Sequence, residues 1–205
     1  MSKNKTLLLL LILVLLLTGC RGYTDASVKI PAGWTEYQCG PLSFQFEAGW
    51  RESDVASMQE GLEIGAGIFA GAATAKVLNA WQSQVREQGT VDYLLITCYT
   101  MDKTITASDL EDVMDDLNGM ARTIKNQAGL VTEVEQNARI RHYGSVDALT
   151  ICYELQGEEA GSMIQLALVP KDKYCFQIAY CDFTTMMDDT TLEAILSSLT
   201  IEMEN

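Results

Sequence analysis

The feature that most limits what this chain can fold into is a succession of β-rich runs in its C-terminal half. Val131 to Arg141, Val146 to Leu155, Met163 to Val169 and Tyr174 to Phe183 are rich in branched and aromatic residues, with Gly144, Gly157 and Pro170-Lys-Asp172 between them. Turn residues at that spacing make consecutive strands hairpin partners, so the runs predict an antiparallel meander. The connections are too short for the crossovers that parallel strands need. Val91 to Met101 reads as one more strand.

A second β unit precedes the meander. Trp34 to Cys39 and Leu42 to Glu47 flank the turn signal Gly40-Pro41, and the apolar residues of Leu42-Ser-Phe-Gln-Phe46 alternate, which predicts a hairpin with one buried face. Gly49-Trp50 closes it, and Trp50 is expected to cap the core. Two stretches carry helical spacing instead. Ser108-Asp-Leu-Glu111 is a capping box, followed by Leu110, Val113, Met114, Leu117, Ala121 and Ile124 and stopped at Gly129. Thr190-Thr-Leu-Glu193 is a second box, followed by Leu192, Ile195, Leu196 and Leu199, and Thr200 to Met203 can add a short strand. Ala72 to Gln88 also shows helical spacing, through Val77, Leu78, Trp81 and Val85. Strands bracketed by helices imply an α+β class, an antiparallel β-sheet flanked by amphipathic helices. The expected organisation is one domain over 34–205, with a Gly/Ala-rich insertion at about 61–89.

The N-terminus has a different logic. Lys3 and Lys5 precede an apolar run of 11 residues, Leu7 to Leu17, and Thr18-Gly19 lead directly to Cys20. Basic start, short apolar run and small residues at a cut site describe a secretory leader over residues 1–19. The run is too short for a membrane span of about 20 residues. Leu17-Thr18-Gly19-Cys20 resembles the lipobox of bacterial lipoproteins, which implies acylation of the Cys20 sulfur and cleavage before it. Each buried CH₂ of an acyl chain contributes about 0.8 kcal/mol, so more than one chain anchors stably. Residues 21–33 are polar, without period, and read as a tether of about 20 Å. The expected location is the cell membrane or outer membrane, with the domain outside the cytoplasm.

Charge narrows the partners. The chain has 14 basic and 28 acidic residues, a formal net charge of −14, and losing Lys3 and Lys5 with the leader makes the remainder more acidic. Phosphate backbones repel such a surface, so nucleic acid is not an expected partner. With Cys20 acylated, Cys39, Cys98, Cys152, Cys175 and Cys181 remain, an odd number that leaves at least one free thiol. Cys175 and Cys181 fall on one predicted strand about 20 Å apart, too far to bond to each other. No C-x-x-C or Cys/His cluster is present, which disfavours zinc.

The order of elements resembles the PsbP-like fold, which includes bacterial lipoproteins similar to DcrB. The points of contact are Leu42-Ser-Phe-Gln-Phe-Glu-Ala-Gly-Trp50, the passage Gly144-Ser-Val-Asp-Ala148 into a Tyr-containing strand, and the closing helix Leu192 to Leu199 before a terminal strand. The chain departs from that pattern at residues 61–89 and at Ala48, where a proline is commoner. The resemblance implies a non-catalytic accessory or binding module of the cell envelope, with a possible envelope protein partner, no cofactor and no catalytic residue to carry over.

Four signals could carry chemistry of their own. Gly65-Ala-Gly-Ile-Phe-Ala70 fits G-x-G-x-x-A, with Glu87 about 20 residues on, but no buried strand or βαβ unit surrounds it. Asp112 and Asp116, one helical turn apart among Asp109 and Asp115, are candidate ligands for a divalent cation, although no loop supplies a full ring of oxygens. Met186-Met-Asp-Asp189 is a similar acidic entry to a helix. His142, the only histidine, stands beside Arg141 and Tyr143 with no G-x-S-x-G nucleophile to serve. A small-ligand or cation carrier is therefore the alternative expectation, and an unrecognised hydrolase a more distant one.

Overall fold

The computed structural model describes residues 23–56, 72–85, 91–114, 138–156, 161–182 and 190–203. The meander is there. Strands β5 (Tyr93–Met101), β6 (Arg139–Tyr143), β7 (Val146–Gln156), β8 (Gly161–Lys171) and β9 (Tyr174–Asp182) join β3 (Arg51–Glu52) and β4 (Ala72–Gln82) in one sheet. Its order is β3-β4-β5-β9-β8-β7-β6, and every neighbouring pair is antiparallel. Asp172 and Gly144 supply the positive φ of two of the hairpin turns, at 54° and 55°. Pro170 is tolerated because the β7–β8 register runs only from Gln156–Gly161 to Leu149–Leu168, so its missing N–H falls past the ladder.

A smaller sheet, β1 (Thr35–Cys39), β2 (Leu42–Phe46) and β10 (Thr200–Ile201), lies apart from it in the order β1-β2-β10. The alternation read in β2 is real: Leu42, Phe44 and Phe46 are buried and Gln45 is exposed. This small sheet and helix α1 (Thr190–Ser198) cover one face of the large sheet. Phe44, Phe46, Leu192, Ile195, Leu196 and Leu199 share a core with Trp81, Leu94, Ile96, Phe176 and Ile178. Trp50 does cap that core, its ring centroid 4.6 Å from Phe46 and 6.1 Å from Tyr180. On the opposite face Ile105 and Leu110 pack on Tyr99, Leu149, Ile151, Leu168 and Cys175. A sheet apolar on both sides needs cover on both, and this one has it. The class is α+β.

Two expectations are corrected. Ala72 to Gln82 is a strand, not a helix, and it pairs with β5 along its length. It contains a bulge between Val77 and Asn79. The extra residue flips the alternation there, so Leu78 and Trp81 reach the same core although three apart. Buried Val77, Ala80 and Trp81 thereby imitate the three-and-four spacing of a helix. Of the expected insertion at about 61–89, then, residues 72–82 belong to the main sheet, while 61–71 and 86–89 lie outside the described residues.

The first capping box also differs. A 3₁₀ turn, Ala107–Asp109, starts two residues earlier than expected. Its box is Thr106 with Asp109, whose Oδ2 accepts the Thr106 amide at 2.8 Å and the Thr106 hydroxyl at 2.7 Å. Residues 110–114 continue as helix, and the rest of that expected helix lies outside the described residues. For α1 a first-turn amide is satisfied from across the core: the buried Gln165 of β8 accepts the Leu192 N–H through Oε1 at 3.2 Å. An orphan donor at a helix start needs such a partner once the end is buried.

Candidate functional site

The most elaborated surface is the β6 edge of the large sheet, because the segment after the expected leader is laid along it. The Ala26 N–H donates to the His142 carbonyl at 2.8 Å, and the His142 N–H donates to the Thr24 carbonyl at 3.0 Å. Together they make a parallel bridge between Asp25 and His142. Asp25 builds a local turn that shapes the segment: one carboxylate oxygen accepts the Ser27 amide at 2.9 Å and its hydroxyl at 2.6 Å. Ser27 Oγ in turn accepts the Gly144 N–H at 2.8 Å. The Val28 N–H donates to Ser197 Oγ of α1 at 2.9 Å. Part of the stretch read as a tether, Thr24 to Val28, is thus docked.

Beside the docked segment runs an open groove of about 800 Å³, lined by Tyr23, Glu111, Met114, Arg139, Arg141 and Glu193, among others. Arg141 is held by Glu193 at 3.2 Å, each side chain about 29% exposed. Arg139 is exposed and makes no ion pair among the described residues. His142 Nδ1 lies 2.8 Å from Asp147 Oδ1, both side chains 43% exposed. The Asp147 hydrogen bond chiefly, helped by the Asp147 and Asp25 charges, raises the imidazole above its ordinary pKa. Hydrogen bonds from Ser27 hold the Asp25 carboxyl below the usual carboxylate range. Desolvation, with the Glu111 and Asp147 charges, pushes the Tyr23 phenol up. The groove therefore mixes arginines, carboxylates and the apolar Met114.

The residues singled out in the sequence do not converge. Cys20, the Gly65–Ala70 motif, Glu87, Asp116 and Met186 to Asp189 lie outside the described residues. Asp112 is exposed on the helical stretch after the 3₁₀ turn, and no group of three potential metal ligands occurs among the described residues. His142 sits on a strand end next to the docked segment, engaged by Asp147. Cys39, Cys98, Cys175 and Cys181 are free thiols, and Cys152 lies on β7. Burial pushes the thiols of Cys39 and Cys175 to about 12 and that of Cys181 to about 11, so they are protonated at neutral pH and poor nucleophiles. Cys175 and Cys181 share β9, as the run had suggested.

Two features escaped the sequence reading. One is the docking itself, whose only local sign is Asp25-Ala-Ser27, an aspartate able to bond the amide two residues on. The other is a pair of buried acids. Asp92 and Asp182 are 0% and 4% exposed, flank the Tyr93–Cys181 pair, and are both engaged within the fold. Nothing in an isolated aspartate codon distinguishes a buried acid from a solvated one.

No protein-family model matches the chain, and no curated protein matches it. Among solved structures, a crystal structure from Bacteroides thetaiotaomicron VPI-5482 aligns with TM-score 0.46 and 10% identity over 84% of this chain and 50% of that one. The chain spans half the length of that protein. LpqN of Mycobacterium tuberculosis, described as involved in cell envelope biogenesis, aligns with TM-score 0.46 and 14% identity over 89% of this chain and 99% of its own. No helix among the described residues is long and apolar enough to cross a membrane.

Proposed function

We propose that the chain is a lipid-anchored, extracytoplasmic module of a bacterial cell envelope, PsbP-like in organisation, that works by binding a partner and not by catalysis. The observation that supports it most is the sequence Leu17-Thr18-Gly19-Cys20 followed, four residues later, by a segment bonded to the sheet edge from Thr24 onward. In this reading Cys20 carries the acyl chains and the docked segment joins them to the folded domain. The protonated state of the buried thiols supports a binding role over thiol catalysis. The test is a crosslinked pull-down from native membranes, comparing the wild-type chain with Cys20→Ser. One near-stoichiometric partner, lost with Cys20→Ser, is the expected result. Unchanged membrane partitioning of Cys20→Ser, with labelled lipid still incorporated, would overturn it.

The groove at β6 favours a second reading, a carrier for a small anionic ligand held by Arg139; a divalent-cation carrier would rest instead on the sequence pair Asp112 and Asp116. A thermal shift with calcium that disappears in Asp112→Asn/Asp116→Asn would select the cation version. A shift with an anionic amphiphile that disappears in Arg139→Gln would select the other.

A further inference from the structure

We propose that the docked segment fixes which side of the domain meets the bilayer: β6, with Arg139 and Arg141, faces the lipid surface, and the β3 edge points away from it. The inference rests on the anchored reading above and adds an orientation to it. From Cys20 to Thr24 the chain reaches at most about 14 Å even when fully extended. A free tether from Cys20 to Gly33 would instead wander over about 20 Å and favour no side of the domain. Docking removes that freedom with four hydrogen bonds, two to His142, one from Gly144 and one to Ser197. The large sheet has seven strands with β6 at one edge and β3 at the other, so its far edge stands about 29 Å from β6 at ordinary strand spacing.

Direction and charge agree with this. The bridge at Asp25 and His142 is parallel, so the chain before Thr24 heads back toward Arg139, the start of β6. Tyr23, the first described residue after Cys20, accordingly lines the groove at the arginine-bearing end of the edge. For a chain with 28 acidic against 14 basic residues, most orientations bring carboxylates to an anionic membrane. The β6 edge brings Arg139, without an ion-pair partner among the described residues, to where headgroup phosphates lie. Of the carboxylates beside it, Glu193 is held by Arg141, Asp147 by His142 and Asp25 by Ser27, and Glu111 lines the groove. A cation beside an anionic surface is attracted to it within a Debye length.

The experiment uses the lipidated full chain in vesicles of phosphatidylcholine and phosphatidylglycerol carrying a headgroup energy-transfer acceptor. An azide-bearing residue placed at Glu111, which lines the groove, or at Val85, which is 70% exposed just past β4, carries the donor dye. Mass analysis of the Cys20 peptide reads lipidation in the same samples. The expected result is transfer from the Glu111 position about threefold stronger than from Val85, as a sheet-wide separation requires. Ala26→Pro, which removes the N–H donated to His142, should bring the two within error of each other, and the milder Ser27→Ala should reduce the difference. Equal transfer from both positions on a chain whose Cys20 peptide carries lipid would overturn the orientation and leave the anchored reading standing. A Cys20 peptide without lipid would overturn that reading, and the orientation with it. Amide exchange at Ala26 and His142 in the same vesicles gives a further check: fast exchange at both would show the segment undocked and would also overturn the orientation.

Discussion

The two edges of the large sheet are finished in opposite ways. At β6 the unpaired backbone is covered by the chain itself, Thr24 to Ala26 adding a short parallel bridge that α1 and the Gly144 turn secure. At the other edge, among the described residues, Arg51 and Glu52 pair with β4 opposite Gln82 and Trp81, and the Ser53 N–H donates to the Ala80 carbonyl at 2.9 Å. The rest of β4 is protected by irregularity, with bulges between Ala72 and Thr74 and between Val77 and Asn79 and the charged Lys76 between them. Bulges and inserted charge discourage another strand from pairing, whereas a docked segment occupies the place outright. One edge is thus shut by a removable part and the other by its own shape. Only the removable kind can be coupled to something outside the domain.

Breaking the self-shaped edge should cost most. Trp81 is 3% exposed on β4 and sits edge-on to Tyr37 and Phe44 at 5.7 and 5.8 Å. Trp81→Ala should lower stability by about 3–5 kcal/mol in chemical denaturation, since both the ring's burial and its cavity count against the fold. Next comes the turn that seals the docked edge. Gly144 has φ +55° and a Cβ there would lie 2.5 Å from the Ser197 carbonyl oxygen. Gly144→Ala should lose about 2–3 kcal/mol, and its amide-exchange footprint should spread into α1 and not into β4.

Between the edges a gain is expected. Thr97 on β5 is fully buried and its hydroxyl finds no hydrogen-bond partner among the described residues. Thr97→Val keeps the shape and removes the desolvated group, so the melting point should rise with a gain of about 1 kcal/mol. A loss would show that the hydroxyl is bonded after all.

The smallest effect separates the edges by pH. His142 is raised, so its contribution is complete below about pH 6.5 and is lost as pH rises through its folded value. Asp25 is lowered, so its contribution is present above its unfolded pKa of about 4 and is lost as pH falls through the folded one. Both hold together between about pH 4 and 6.5. Protection factors at Ala26 and His142, corrected for intrinsic exchange, should be higher at pH 5.5 than at pH 8. Those at Leu94 and Ile178 should not change. Asp147→Asn should flatten the difference and return the imidazole toward its ordinary pKa in an NMR titration.

Legibility in the sequence followed how local each cause was. The β2 alternation and the glycine and Asp172 turns are written in adjacent residues, and they were readable. The strand at Ala72–Gln82 was not, because a bulge is invisible until the partner strand is in place, and its consequence mimics a helix. The capping box slipped by two residues because Thr106 and Ser108 both present a hydroxyl before an acid, and only the turn geometry chooses between them. The geometry of the candidate site was not legible in the sequence. Its docking depends on Gly144 and Ser197, more than a hundred residues downstream of the segment they hold.

The small sheet carries a consequence for the order of events in synthesis. Its central strand, β2, gains its second neighbour only from Thr200 and Ile201, with Ser43 and Thr200 lying 157 positions apart along the chain. Closing so long a loop is slow, and nothing repays its entropy until the last residues arrive. A nascent chain made N-terminus first therefore cannot complete its small sheet until Thr200 and Ile201 are available to pair with β2.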